Sequence, residues 1–312
     1  MPFLRKLVRR KTSLFAFVFL CIVAFAALLG PVVTPGDIDS QNLGARLKPP
    51  GWTDSDGTLH PLGTDQLGRD VLARLVAGSR LSLSVGLAAV FGGGLLGLAA
   101  GVIAGYFGGK TDVIIMRLSD IQLAFPFLLI ALALVSILGP SLANVIIVLS
   151  ITSWINYARV VRGDVLSVRN REFVEASRSS GATSLRIMVR HVIPNILSPF
   201  LVVASFQVAA LIIAESSLSF LGLGVPVGTP TWGGMLSDGR EYLTDAWWVA
   251  LFPGVAIMLT ALSFNLIGDG IRDALDPSLN QSAGPSKRSS VFARWRKGGS
   301  VRASRQTLTK VQ

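Results

Sequence analysis

Long uncharged apolar runs alternate along the chain with shorter polar segments that carry most of its charge. A hydrocarbon core ~30 Å thick takes about 20 mainly apolar helical residues to cross. Runs at about 14–33, 82–107, 121–139, 142–162, 196–214 and 247–268 approach or meet that requirement. In lipid every backbone polar group must be satisfied internally, so such runs predict helices. The expected architecture is an all-α membrane protein with about six spans. Between the runs, 34–80 is rich in Pro, Gly and Asp, 163–195 is polar and basic, and 216–246 is rich in Gly and Trp.

The first run follows Arg5, Lys6, Arg9, Arg10 and Lys11, and Ala24-Phe25-Ala26 has the small-residue pattern of a signal cleavage site. The run continues through Leu28, Leu29 and Val33, which is long for a signal h-region, so 14–33 reads as a retained anchor. The chain then divides into 1–80 (first span and extracytoplasmic segment), 81–275 (a core with five spans) and a basic tail, 276–312.

Charge sets the orientation. With the N-terminus in the cytoplasm, 23 of the 29 Lys and Arg fall inside and 6 outside. That bias predicts a multi-pass protein of the cytoplasmic (inner) membrane with both termini cytoplasmic. It also explains the net charge of +11 without nucleic acid. The tail after Asp276 has eight basic residues and no acidic one, a composition expected to stay disordered near anionic lipid.

The inventory for chemistry is short. Cys21 is the single cysteine, and His60 and His191 are far apart, so neither a disulfide framework nor a metal site is expected. Residues 104–111, Ala-Gly-Tyr-Phe-Gly-Gly-Lys-Thr, nearly match a phosphate loop. That motif works only between a strand and a helix, and here it follows a membrane span, so it reads as a cytoplasmic turn. Gly93, Gly97, Gly101 and Gly105 recur at four-residue spacing, which aligns them on one helix face and predicts close packing against another helix. Asn144, Asn156, Gln207 and Asn265 are polar residues within spans, and Glu215 lies near the outer end of the fifth, where water could reach it. Nothing in the sequence says which residues line a solute path.

The segment 163–195 is the informative loop. Residues 171–180 can form one helix, Gly181 breaks it, and a second helix starts near Ser184 and is expected to stop at Pro194. Leu185, Met188, Val189 and Val192 would share one face, with Arg186 and Arg190 pointing elsewhere. Such a hairpin could lie on lipid, pack under its own bundle or dock into a soluble partner.

Glu175-Ala176-Ser177, Gly181 and Ile193-Pro194 resemble the "EAA" loop of binding-protein-dependent ABC importer permeases, with Ser177, His191 and Ile193 departing from the general pattern. His60-Pro61-Leu62-Gly63-Thr64-Asp65 with Gly68-Arg69-Asp70-Val71-Leu72, Ala124-Phe125-Pro126, and Ser219-Phe220-Leu221-Gly222-Leu223-Gly224 look like the C-type permease of the dipeptide, oligopeptide and nickel branch. The resemblance covers about 1–280 and implies the type I ABC importer permease fold. It also implies a coupling loop built on Glu175, Ala176, Ser177, Gly181, Leu185, Met188, His191 and Pro194. The implied partners are a second permease (a heterodimer), cytosolic ABC ATPases that hold ATP and Mg, and an extracytoplasmic solute-binding protein, with lipid around the spans. On this reading the chain is not itself an enzyme and binds no cofactor. It translocates di- or oligopeptides or a related small solute. A secondary transporter or channel, the alternative, would leave the loop motif without a role.

Overall fold

The structure, a computed structural model, describes residues 11–33, 38, 40–226 and 228–275; the expectation for the 276–312 tail lies outside them. Among the described residues the chain is helical apart from short 3-10 turns and one small hairpin, β1 (Trp52–Thr53) paired antiparallel with β2 (Leu59–His60).

Helix α1 (Lys11–Val33) leads through the outer segment to α2 (Val71–Phe107). With 37 residues, α2 is about 55 Å long, more than a bilayer core needs. It begins eleven residues before the expected span because the polar stretch ahead of it already carries a cap. The Asp70 side chain accepts from the Ala73 amide at 2.7 Å, satisfying one of the free donors of the first turn. The ring of His60 holds the other carboxylate oxygen of Asp70 at 2.6 Å and stacks on Trp52.

The run expected at 121–139 is not one helix. Helices α3 (Gly109–Leu123) and α4 (Phe127–Leu138) meet at an 89° bend around Ala124-Phe125-Pro126. Pro126 has no amide hydrogen and disfavours helical backbone in the residue before it, which breaks the run there. The pair still climbs alongside α5 (Leu142–Val168). At the start of α3, Asp112 receives both forks of Arg162 at 2.5 and 2.6 Å. Past the end of α4, Asn144 donates to the carbonyls of Leu138 and Gly139 at 2.8 and 3.0 Å. At the bend, Gln122 donates to the Thr152 carbonyl and accepts from the Trp154 indole, both at 3.0 Å. Counted as one span in two pieces, the pair joins α1, α2, α5, α8 and α10 to make six candidate spans.

Helices α6 (Glu172–Ser179) and α7 (Ser184–Ile187) form the hairpin expected on the cytoplasmic side, and α8 (Ile193–Phe220) runs back along the bundle. A short α9 (Trp232–Gly239) packs at the outer end before α10 (Trp248–Leu275) crosses back.

The most extensive helix contact joins α2 and α5 along the glycine stripe. A Cβ placed on Gly101 would sit 2.6 Å from the Ala158 carbonyl oxygen and 2.7 Å from the Val161 Cβ. One on Gly105 would sit 2.7 Å from the Val165 Cβ, and those on Gly93 and Gly97 would meet Ser153 and Trp154. Lipid tails are as apolar as leucine, so helices gain little from apolar burial alone. Backbones that approach this closely gain dispersion contact instead.

Candidate functional site

The hairpin at 172–192 hangs under the bundle from three apolar anchors. Val174 of α6 with Ile187 and Val192 of the following turns are buried among Val102, Tyr106, Val161, Val165 and Ile196. Arg169 donates to the Gly105 carbonyl at 2.8 Å, satisfying an acceptor at the C-terminal end of α2, and Arg178 lies 6.0 Å over the Tyr106 ring. The hairpin is thus held at both ends.

Gly181 joins the two short helices with φ +79°, and nothing lies within 4 Å of where its Cβ would be. Glycine is needed there for its backbone conformation; space is not limiting. Thr183 then caps α7 by accepting from the Arg186 amide at 3.4 Å.

The expected stop at Pro194 does not occur. Met188–Val192 form a π turn, in which the Ile193 amide reaches back to the Met188 carbonyl, and the chain continues through Pro194 into α8. A π turn holds one more residue than an α turn, so the helix accommodates a proline that lacks an amide and crowds the carbonyl four residues back. The extra residue also rotates the faces. Ile187, Val192 and Ile196 point inward, spaced by five and then four. Of the expected stripe, Val192 is buried and Met188 half-buried, whereas Leu185 and Val189 are 67% and 56% exposed. Ile187 was missed because a regular 3.6-residue period puts it off that stripe.

The outward surface of the hairpin therefore carries Leu185 and Val189, one turn apart, beside exposed Arg186 and Arg190. Glu175, Ala176 and Pro194 are exposed as well, and the Glu175 carboxylate has no hydrogen bond or ion pair among the described residues. Ser177 and His191, two of the positions that depart from the family pattern, meet across the hairpin. The Ser177 hydroxyl lies 3.3 Å from His191 Nε2 and donates to the Phe173 carbonyl at 2.9 Å. His191 also lies beside the Phe173 ring, and its own carbonyl accepts from Asn195 at 2.7 Å.

Two further sequence features resolve as structural. Glu215 is 1% exposed, so the expected access to water is closed. Its oxygens face the hydroxyls of Ser219, at 2.7 Å, and of Ser216 and Ser82, with α9 packed over them. The His60 to Leu72 motif folds into a tight cap around α2. Asp65 is buried and accepts from Arg69 at 2.7 Å, with Arg74 at 3.8 Å. Gly63 and Gly68 have φ of +77° and +74° and lie against the Lys48 and Asn42 backbones. Among the described residues there is no cluster of ligands that could hold a metal ion.

Comparison with known proteins is consistent along most of the chain. Residues 97–281 match the family model for the binding-protein-dependent transport system inner membrane component. Residues 2–50 match that for the N-terminal TM domain of oligopeptide transport permease C. The chain is 43% identical over 281 residues to the di/tripeptide transport system permease protein DppC of Pseudomonas aeruginosa, covering 90% of this chain and 93% of that one. It is 46% identical over 273 residues to the dipeptide transport system permease protein DppC of Escherichia coli, covering 88% and 91%. Its fold is similar to a chain of the MetNI methionine ABC transporter in an inward-facing conformation. That match has a TM-score of 0.54 at 20% identity and covers 66% of this chain and 98% of that chain.

Proposed function

The chain belongs to the binding-protein-dependent transport system inner membrane component family, and from that premise we propose that it is the peptide-carrying permease of an importer whose energy comes from a separate ATPase. It is a multi-pass membrane protein and a transport subunit. The solute class is di- or tripeptides, by similarity to relatives named for them. ATP and Mg belong to the cytosolic ATPase, and an extracytoplasmic binding protein delivers the peptide. A second permease completes the translocation unit as a heterodimer, and both termini of this chain face the cytoplasm.

The observation that carries the coupling role is the hairpin itself. It presents Leu185 and Val189 outward between arginines while Val174, Ile187 and Val192 tie it into the bundle. An amphipathic helix anchored on one side and bare on the other suits a groove in a partner protein. The anchors let movement of that partner be passed to α2, α5 and α8 and not absorbed in a loose loop. Exposed Glu175 is the polar contact of the same surface.

The test is co-purification from mild detergent. Wild-type chain is expected to retain ATPase and second permease, and Leu185→Asp with Val189→Asp to lose the ATPase while keeping the second permease. Retention of ATPase by the double variant would remove the hairpin from the interface.

A further inference from the structure

The bend between α3 and α4 leaves a groove of about 300 Å³ against α5 and α8, whose lining includes Phe127, Leu128, Ser153, Asn156, Gln207 and Ser217. Asn156 is the fifteenth of 27 residues in α5, and Gln207 the fifteenth of 28 in α8. Gln207 therefore lies about 20 Å from either end of α8, near the middle of its crossing, whereas Asn156 lies one turn from the exposed Arg159–Asp120 ion pair and so toward one end of the apolar part of α5. Asn156 is exposed and Gln207 half-buried, and neither side-chain amide has a hydrogen-bond partner among the described residues. Polar groups within the apolar part of a span are unfavourable against lipid tails and belong on a bundle interior or a water-filled cavity.

We propose that this groove is the contact site within the membrane for the peptide in transit, with the Asn156 and Gln207 amides hydrogen-bonding its backbone. The proposal rests on the importer reading above and adds where the solute touches this chain. A primary amide both donates and accepts, as a peptide group does. No charged residue lines the groove, so the contact does not depend on the charge of the peptide side chains. Its volume lies at the small end of the usual range of roughly 300–1,000 Å³ for ligand sites, which suits a short peptide passing through an open path. The groove lies where the third span bends by 89° at Pro126, with Phe127 and Leu128 of α4 on its wall. A flat interface with a second permease would not need the cavity, and the solute is the occupant that does.

The test uses the full assembly in liposomes, with Cys21→Ser as background and single cysteines at Asn156→Cys, Gln207→Cys and Phe91→Cys. Phe91 is 75% exposed and lies near the middle of α2 on an apolar face, so it is the lipid-facing control. A charged, water-soluble methanethiosulfonate reagent is expected to modify the first two at least about tenfold faster than the control, because thiolate forms only in water. A dipeptide supplied with its binding protein and ATP is expected to slow both reactions. Rates equal to the control, or rates the dipeptide leaves unchanged, overturn the site. Dipeptide and tripeptide uptake by the wild-type assembly is measured in the same vesicles. Failure of the importer reading appears as no uptake by wild type and overturns the proposal with it. Failure of the groove alone appears as wild-type uptake beside unreactive cysteines. Asn156→Leu and Gln207→Leu are each expected to lower uptake about tenfold; full uptake in both variants also overturns the site.

Discussion

Replacing Gly101 by alanine adds one methyl group where α2 and α5 approach closely, and its cost follows from the distances. The new Cβ would lie 2.6 Å from the Ala158 carbonyl oxygen and 2.7 Å from the Val161 Cβ, where ordinary contact starts at 3.4 Å. The nearest atoms belong to backbone and to a β-branched side chain with little rotamer freedom, so they cannot swing away. Helices α2 and α5 must separate by several tenths of an ångström or more, which loosens the neighbouring Gly97 and Gly105 contacts too. Overpacking of this kind costs about 1–3 kcal/mol. A cost of one or two kcal/mol changes the folded-to-unfolded ratio roughly 5- to 30-fold. Gly163→Ala supplies the control. That glycine lies in α5, is exposed and has nothing within 4 Å of a Cβ. The same chemical change there removes a flexible residue and is expected to be stabilising by about 0.4–1 kcal/mol. Unfolding in mixed micelles of increasing denaturing-detergent fraction, followed by tryptophan fluorescence, measures both. The predicted signs are opposite. If Gly101→Ala proves no less stable than Gly163→Ala, close backbone approach is not what holds α2 to α5.

Gly181→Leu is expected to insert normally and to separate ATP hydrolysis from peptide uptake, because a leucine is strained at φ +79° and re-aims α7; wild-type coupling in reconstituted vesicles would refute this. Asp65→Ala removes the buried carboxylate that faces Arg69 and Arg74. Arg69 keeps Asp238 at 3.7 Å, so the loss falls below the roughly 3–5 kcal/mol of a buried charge stripped of its partner; the variant should still show lower abundance and earlier trypsin cleavage in the segment before α2. A cysteine introduced as Thr58→Cys, in the turn between β1 and β2, should react with an impermeant thiol reagent on intact cells. Reaction only after permeabilisation would invert the topology. Glu215→Gln is expected to leave stability within about 1 kcal/mol, since the serine hydroxyls that donate to the carboxylate also donate to an amide oxygen. A large loss in detergent unfolding would mean that the charge itself is needed there.

Hydropathy was enough to mark six apolar runs as candidate spans, because lipid leaves a chain few ways to satisfy its backbone. Four-residue spacing marked Gly93 to Gly105 as one face, since helix period alone decides which residues align. The sequence also marked the hairpin at 172–192 and its breaking glycine, a conformational requirement that is local to Gly181.

Tertiary structure decided what depends on neighbours. The run at 121–139 read as one span, but it bends by 89° at Pro126, with Gln122 and Asp112 holding on to α5. Pro194 looked like a stop, yet a π turn absorbs it because Ile187 and Val192 are pulled into the bundle floor, and that extra residue changes which apolar side chains remain outside. Glu215 looked reachable from water, but Ser82 of α2, far away in sequence, and α9 close over it. The amides of Asn156 and Gln207 were visible as polar residues in spans, but only the packing of α4, α5 and α8 brings them to one groove. Local rules fix where the chain turns and which face is apolar; which of those faces meets protein, lipid or solute is set by contacts between residues far apart in the chain.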